Sequence, residues 1–326
     1  MTAPAFPDVP GLEAYWADAT RRPGAAAPAD IDVRLLLDTL GLGVEQTGPF
    51  LGSAPSFEAF TAWIVAEAGL PDPLTLARYR AWHEGHEPPE PIRRRQRALA
   101  DAPPVLDEAD LARWDRDGYV VLRGAIAPDE ARAAEQLLWR TIGATPDDPD
   151  TWYGARRGGI MIPVYRHPAL EPARRAPRIH KAFAQLWGRE DLWMTTDRMS
   201  FNPPERRSYR FQGPKLHWDV SLAWPIPFAT QGILYLTDTR ADQGAFQLVP
   251  GFHRRIRAWL EGLGDADPRG VDLSGEAIGI AADAGDLVIW RWDLPHGASP
   301  NRSSRPRMAQ YVNMYPADLI TNPVWR

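Results

Sequence analysis

Between residues 192 and 314 the chain is a succession of short apolar runs: 192–194, 216–220, 232–236, 245–249, 277–281, 287–290 and 308–314. Each is set off by Pro, Gly, Asn or Asp. Runs this short suit strands rather than helices, and the turn-forming residues between them let the chain reverse repeatedly. The pattern predicts a β-sandwich or barrel.

The first hundred residues have a different texture. Val33, Leu36, Leu37 and Leu40 follow a helical period, Ser56 stands where it can cap a helix carrying Phe60, Trp63 and Ile64, and Asp72-Pro73 opens another that stops at Gly85. A proline-rich connector is expected over 87–104, with the basic run Arg93 to Arg97 as a solvated helix start inside it, followed by a short helix around Leu111 and Trp114 and a strand at 118–122. Pro128, Asp129 and Glu130 then start a helix whose apolar face is Ala131, Ala134, Leu137, Leu138 and Ile142. The expected organisation is a helical segment over 1–104 and a β domain over 105–326. Apolar helix stripes cannot stay in water, so the segment is expected to pack on the β core, either as a buttress or by closing over a pocket near Trp82 and His83.

Composition removes several function classes. There is no cysteine, which excludes disulfides, zinc fingers, iron–sulfur clusters and thiol nucleophiles. Only Lys181 and Lys215 are lysines, so Schiff-base or P-loop chemistry has almost no candidates. The net charge of −5, with no basic tract beyond Arg93, Arg94, Arg95 and Arg97, argues against a nucleic-acid partner. Neither a signal-peptide pattern over 1–16 nor 18 consecutive apolar residues is visible, and the expectation is a cytoplasmic protein without a membrane partner.

Two places carry chemistry. In His217-Trp218-Asp219 an extended backbone would send His217 and Asp219 to one side and Trp218 to the other. With one further histidine they would complete a two-His-one-carboxylate set for Fe(II), although for the triplet alone a surface strand pairing His with Asp is the plainer explanation. The second is Gly285-Asp286-Leu287, followed by His296 and, eleven residues on, Arg307. That interval allows a hairpin return that brings Arg307 beside His296, where its guanidinium could hold a carboxylate; a solvent-facing ion pair is the plain alternative.

Taken together, His217-Trp218-Asp219, Gln243-Gly244-Ala245-Phe246, Val249-Pro250-Gly251-Phe252-His253, Gly285-Asp286-Leu287, and His296 with Asn301 at plus five and Arg307 at plus eleven resemble the phytanoyl-CoA dioxygenase family of Fe(II)/2-oxoglutarate oxygenases. The likeness extends over about 107–316, from Asp117-Gly118-Tyr119 through Asp197-Arg198, and leaves residues 1–100 unaccounted for. It implies a double-stranded β-helix, a jelly-roll of cupin type, with flanking helices. It implies His217, Asp219 and His296 as metal ligands and Arg307 as the partner of the C5 carboxylate of 2-oxoglutarate. Asn301 and His253 read more simply as loop-forming residues. Relatives with a polar residue between the metal-binding His and Asp, and a serine two places after the distal histidine, differ from this chain, which has Trp218 and Ala298. The partner of the C1 carboxylate is therefore open, with Gln212 and Tyr235 as candidates.

The activity implied is oxidation of an unactivated C–H bond of a small molecule, using Fe(II), 2-oxoglutarate and O2 and releasing succinate and CO2. Desaturation, ring closure or epimerisation would draw on the same chemistry. Halogenating relatives replace the carboxylate ligand by a small residue to admit chloride, and Asp219 fills that position. The rival readings are a metal-binding cupin enzyme that does not use 2-oxoglutarate, and a non-catalytic β-helix that only binds.

Overall fold

A computed structural model describes residues 6–22, 30–154, 159–213 and 216–326. Strands, numbered in chain order, form a six-stranded antiparallel sheet: β1 (Tyr119–Leu122), β8 (Leu287–Arg291), β5 (Thr230–Tyr235), β10 (Arg307–Tyr311), β4 (Met199–Asn202) and β2 (Met161–Ile162). A smaller sheet, β7 (Ile278–Gly279), β6 (Phe246–Leu248) and β9 (His296–Ala298), lies across from it, and β3 (Trp193–Met194) pairs with β11 (Met314–Tyr315).

Alternation along the central strand shows how the sequence builds these layers. Ile233 and Tyr235 pack with Val288, Trp290 and Ala309 against Phe246 and Leu248 of the small sheet, so they face the interior. Leu234 and Leu236, one place out of phase, join Leu287, Ile289 and Met308 in a second core under the helices Pro128–Ile142 and Pro177–Trp187. One face of the large sheet thus meets the small sheet, where the Phe246 and Trp290 rings lie 4.1 Å apart, and the other meets helices. This is the double-stranded β-helix, with its helical cover.

Two expectations need correction. The stretch 216–220 is not a strand: only His217 enters the ladder, as an isolated bridge to His296. Trp218 leaves the sheet to donate its indole N–H to Asp293 O (3.1 Å) and to pack against Phe252 and Trp259. The connector at 87–104 contains a helix, Glu90–Asp101. Proline is tolerated in a first turn, where its missing N–H has no intrahelical acceptor, and Pro91 stands there ahead of good helix formers.

The helices before β1 form their own core of Leu35, Leu37, Leu40, Phe60, Ile64, Leu76 and Tyr79, and that core includes Trp193 and Tyr315 of the β3–β11 pair. Ser56 and Asp72 cap their helices by accepting from Ala59 N and Thr75 N. Arg78 seals the junction, donating to Leu192 O (3.1 Å) and Asp191 O (2.7 Å) while its guanidinium lies over the Trp193 ring. Trp82 packs against Tyr79 with tilted rings and meets His83 edge-on within this helical layer. Among the described residues no helix is long and apolar enough to cross a membrane.

Candidate active site

A cavity of about 660 Å³ runs between the two sheets, within the size range of small-molecule sites. His217 and His296 sit on its wall as a hydrogen-bonded pair: His217 N donates to His296 O (2.9 Å) and His296 N to His217 O (3.0 Å). Directly opposed residues point to the same side of a ladder, and the imidazole centroids lie 4.8 Å apart. Asp219, two residues after His217, returns to that side. Its Oδ1 is 3.4 Å from His217 Nε2 and its Oδ2 is 3.2 Å from His296 Nε2.

Backbone and side chain of Asp219 are held separately. The Arg269 guanidinium donates to Trp218 O (2.8 Å) and Val220 O (2.7 Å), the carbonyls on either side of it. Gln231 on β5 donates to Oδ2 at 2.7 Å. Burial pushes the Asp219 carboxyl up, but hydrogen bonds from His217, His296 and Gln231 outweigh it and hold the group well below the usual carboxylate range. His296 Nδ1 lies 3.0 Å from Leu294 O; a carbonyl only accepts, so Nδ1 carries a proton, which orients the ring with Nε2 toward the cluster. One ligand atom from each of the three side chains lies within 4.8 Å of the others, a set able to hold a metal ion.

Arg307 starts β10 fully buried on the same cavity. Nε donates to Gly244 O (3.0 Å) and Nη1 to Ser200 Oγ, whereas Nη2 has no partner among the described residues, an orphan donor that a carboxylate would satisfy. Gln212 lines the cavity as well. Tyr235 does not reach it: fully buried, its hydroxyl donates to Ile280 O and accepts from Phe246 N, both at 2.9 Å. Its burial pushes the phenol up to about 12, and it ties the sheets together instead of facing a cosubstrate. Asn301 organises its own turn, donating to Asn202 O and Arg305 O and accepting from Ser303, while the His253 ring packs against Asp115 O.

The wall also includes Arg34, Val44 and Glu45 from the helical segment, with Glu45 paired to Arg198. Trp82 and His83, the expected cover, are not on it. Sequence reading missed Gln231, although its phase with Ile233 and Tyr235 marks it as a polar residue on an inward face. No local pattern marks Arg34 or Glu45.

The sequence profile of the family described as phytanoyl-CoA dioxygenase (PhyH) matches residues 114–309, well over half of the chain. A putative phytanoyl-CoA dioxygenase of Dictyostelium discoideum is 21% identical over 264 residues, covering 64% of this chain and 75% of that one. The dioxygenase cdmD of Talaromyces verruculosus is 32% identical over 146 residues, 43% of this chain and 45% of its own. Among solved structures, the non-heme alpha ketoglutarate dependent carbocyclase SnoK from nogalamycin biosynthesis superposes with a TM-score of 0.48 at 20% identity, covering 68% of this chain and 90% of that one.

The enzyme class is thus the 2-oxoglutarate-dependent non-haem iron dioxygenases, acting on a small molecule with Fe(II), 2-oxoglutarate and O2. The chain belongs to the phytanoyl-CoA dioxygenase family.

Proposed function

We propose that His217, Asp219 and His296 hold the iron, that Arg307 receives the C5 carboxylate of 2-oxoglutarate, and that Gln212 is within reach of its other end. The observation that carries this reading is the pairing of a three-residue ligand cluster with a buried guanidinium whose Nη2 is unpartnered among the described residues, on one cavity. A cupin enzyme working without 2-oxoglutarate would have no use for that guanidinium.

When bound, iron and 2-oxoglutarate supply the oxidising power, O2 being reduced as the cosubstrate loses CO2 to become succinate and a C–H bond of the substrate is oxidised. The chain's part is positional. Leu294 O fixes the His296 tautomer, Gly244 O and Ser200 orient the Arg307 fork, and Phe246, Trp290 and Trp292 give the reacting end of the cavity an apolar, aromatic wall. Residues 1–104 are proposed to act as a helical segment packed on a dioxygenase domain at 105–326. Through Arg34, Val44 and Glu45 they help select the substrate. A cytoplasmic place of action fits a chain without cysteine.

The test is an anaerobic titration with Fe(II) and 2-oxoglutarate, then a screen of candidate metabolites for substrate-stimulated succinate. Tight binding of both, lost together in His217→Ala, is expected. Iron binding that does not change the affinity for 2-oxoglutarate would favour the cupin alternative.

A further inference from the structure

The structure assigns to Gln231 the role of positioning residue for Asp219, with Trp290 fixing the sense of its amide. The inference rests on the reading of Asp219 as an iron ligand, and it names what aims that ligand.

The three residues form a directional chain. Trp290 and Gln231 are direct cross-strand partners in the β8–β5 ladder, so the strand register sets their approach. Trp290 Nε1 lies 3.1 Å from Gln231 Oε1, and Gln231 Nε2 lies 2.7 Å from Asp219 Oδ2. An indole nitrogen only donates and an ionised carboxylate only accepts, so one amide orientation satisfies both contacts: oxygen toward Trp290, NH2 toward Asp219. Trp290 is itself fixed, buried between Phe246 (ring centroids 4.1 Å) and His296 (5.2 Å).

Asp219 needs this support because it lies outside any strand. Arg269 fixes the backbone through the carbonyls of Trp218 and Val220, which leaves the side-chain torsions free. The hydrogen bond from Gln231 to Oδ2 removes that freedom. Oδ1 is left as the oxygen without the amide. Partners of this kind typically change metal affinity by roughly 10–100-fold when removed.

The test uses the full-length, metal-free protein. Fe(II) affinity is measured anaerobically, the visible spectrum is recorded with Co(II) as a probe of ligand geometry, and thermal midpoints are taken without metal. Gln231→Met keeps length and apolar volume but loses both hydrogen bonds; its Fe(II) affinity is expected to fall about tenfold or more, with a shifted Co(II) spectrum. Trp290→Phe keeps a ring against Phe246 and frees the amide to rotate, and a smaller loss in the same direction is expected. If Gln231→Met does not fold, Trp290→Phe decides alone. Affinity within twofold of the parent and an unshifted Co(II) spectrum in the folded variant would overturn the assignment. His217→Ala separates the two levels: if it keeps parental iron affinity, the ligand set is wrong. If it loses iron while Gln231→Met does not, only the role of Gln231 fails.

Discussion

The Tyr315 hydroxyl donates to Asp38 Oδ2 at 2.6 Å, joining the second helix of the chain to its last strand across 277 residues. Asp38 also accepts from Thr196 N and has Arg34 nearby, so a buried carboxylate is the rivet between the helical layer and the β3–β11 pair. Burial pushes its pKa up to about 6, against the opposing pull of Arg34 and these hydrogen bonds. A carboxyl whose folded pKa lies above its unfolded value of 3.8 makes the fold less stable as pH rises from 3.8 to 6. The full cost, on the order of 3 kcal/mol, is present above that window. Asp38→Asn should therefore gain on the parent between pH 3.5 and 7 in urea unfolding. A stability difference that does not change with pH would place the ionisation elsewhere.

Replacing the ligand set should separate binding from folding. His217→Ala, Asp219→Ala and His296→Ala are each expected to lose Fe(II) binding by more than about a hundredfold and to abolish succinate formation. Their metal-free circular dichroism should match the parent, because the three side chains line the cavity and the ladder bonds between His217 and His296 are made by backbone atoms.

Arg307→Ala strips the carboxylate partner from a buried position and should weaken 2-oxoglutarate by roughly 2–4 kcal/mol, about thirty- to thousandfold in Kd. Arg307→Lys should recover only part of this, since an ammonium cannot make two parallel bonds. Calorimetric titration of the iron-loaded protein with 2-oxoglutarate reads both, and an unchanged Kd in the alanine variant would remove Arg307 from the site.

Gly244 is a quieter test of the same clamp. Its φ is +63°, and a Cβ there would stand 2.4 Å from Asn202 Nδ2, while its carbonyl accepts from both Arg307 and Asn202. Gly244→Ala should cost about 1–3 kcal/mol of stability and raise the KM for 2-oxoglutarate through displacement of Arg307. Destabilisation with an unchanged KM would show that the guanidinium does not depend on this turn.

On the substrate side, Arg34→Ala should alter which compounds stimulate succinate formation and leave the Kd for 2-oxoglutarate as it was, because Arg34 pairs with Asp38 of its own helix whereas Arg307 is held by Gly244 O and Ser200. A variant with the parental substrate profile would reduce the helical segment to a buttress.

The sequence made the β core legible because Ile233, Leu234 and Tyr235, or Leu287 to Trp290, carry dense apolar signals in short runs. Ser56, Asp72 and Pro128 announced helix starts through side-chain chemistry that acts locally. The basic run Arg93 to Arg97 reads as a helix start, but the flanking prolines make the stretch around it read as a connector and conceal the extent of the helix Glu90–Asp101, since their turn-forming character masks their tolerance in a first helical turn. Trp218 made 216–220 read as a strand although its ring is drawn away by Phe252 and Trp259. Tyr235 looked reachable because one strand separated it from the ligands, but the phase that sends it inward also delivers its hydroxyl to Ile280 O and Phe246 N. Arg34 and Glu45 could not be read at all, since only the packed helices bring them to the cavity.

The reciprocal amide bonds between His217 and His296 make the spacing of the two imidazoles a property of chain length. Leu248 is paired with His296 across the small sheet, so inserting one residue between Val249 and Pro295 that shifted this register would turn His296 to the opposite face. Insertions that stay within the exposed turns of that stretch, such as the one near Gly264, need not be transmitted to the ladder. A deletion scan should therefore divide the molecule sharply, with loops that accept changes in length and a few ladder positions where a single residue more or less erases the site while the fold survives.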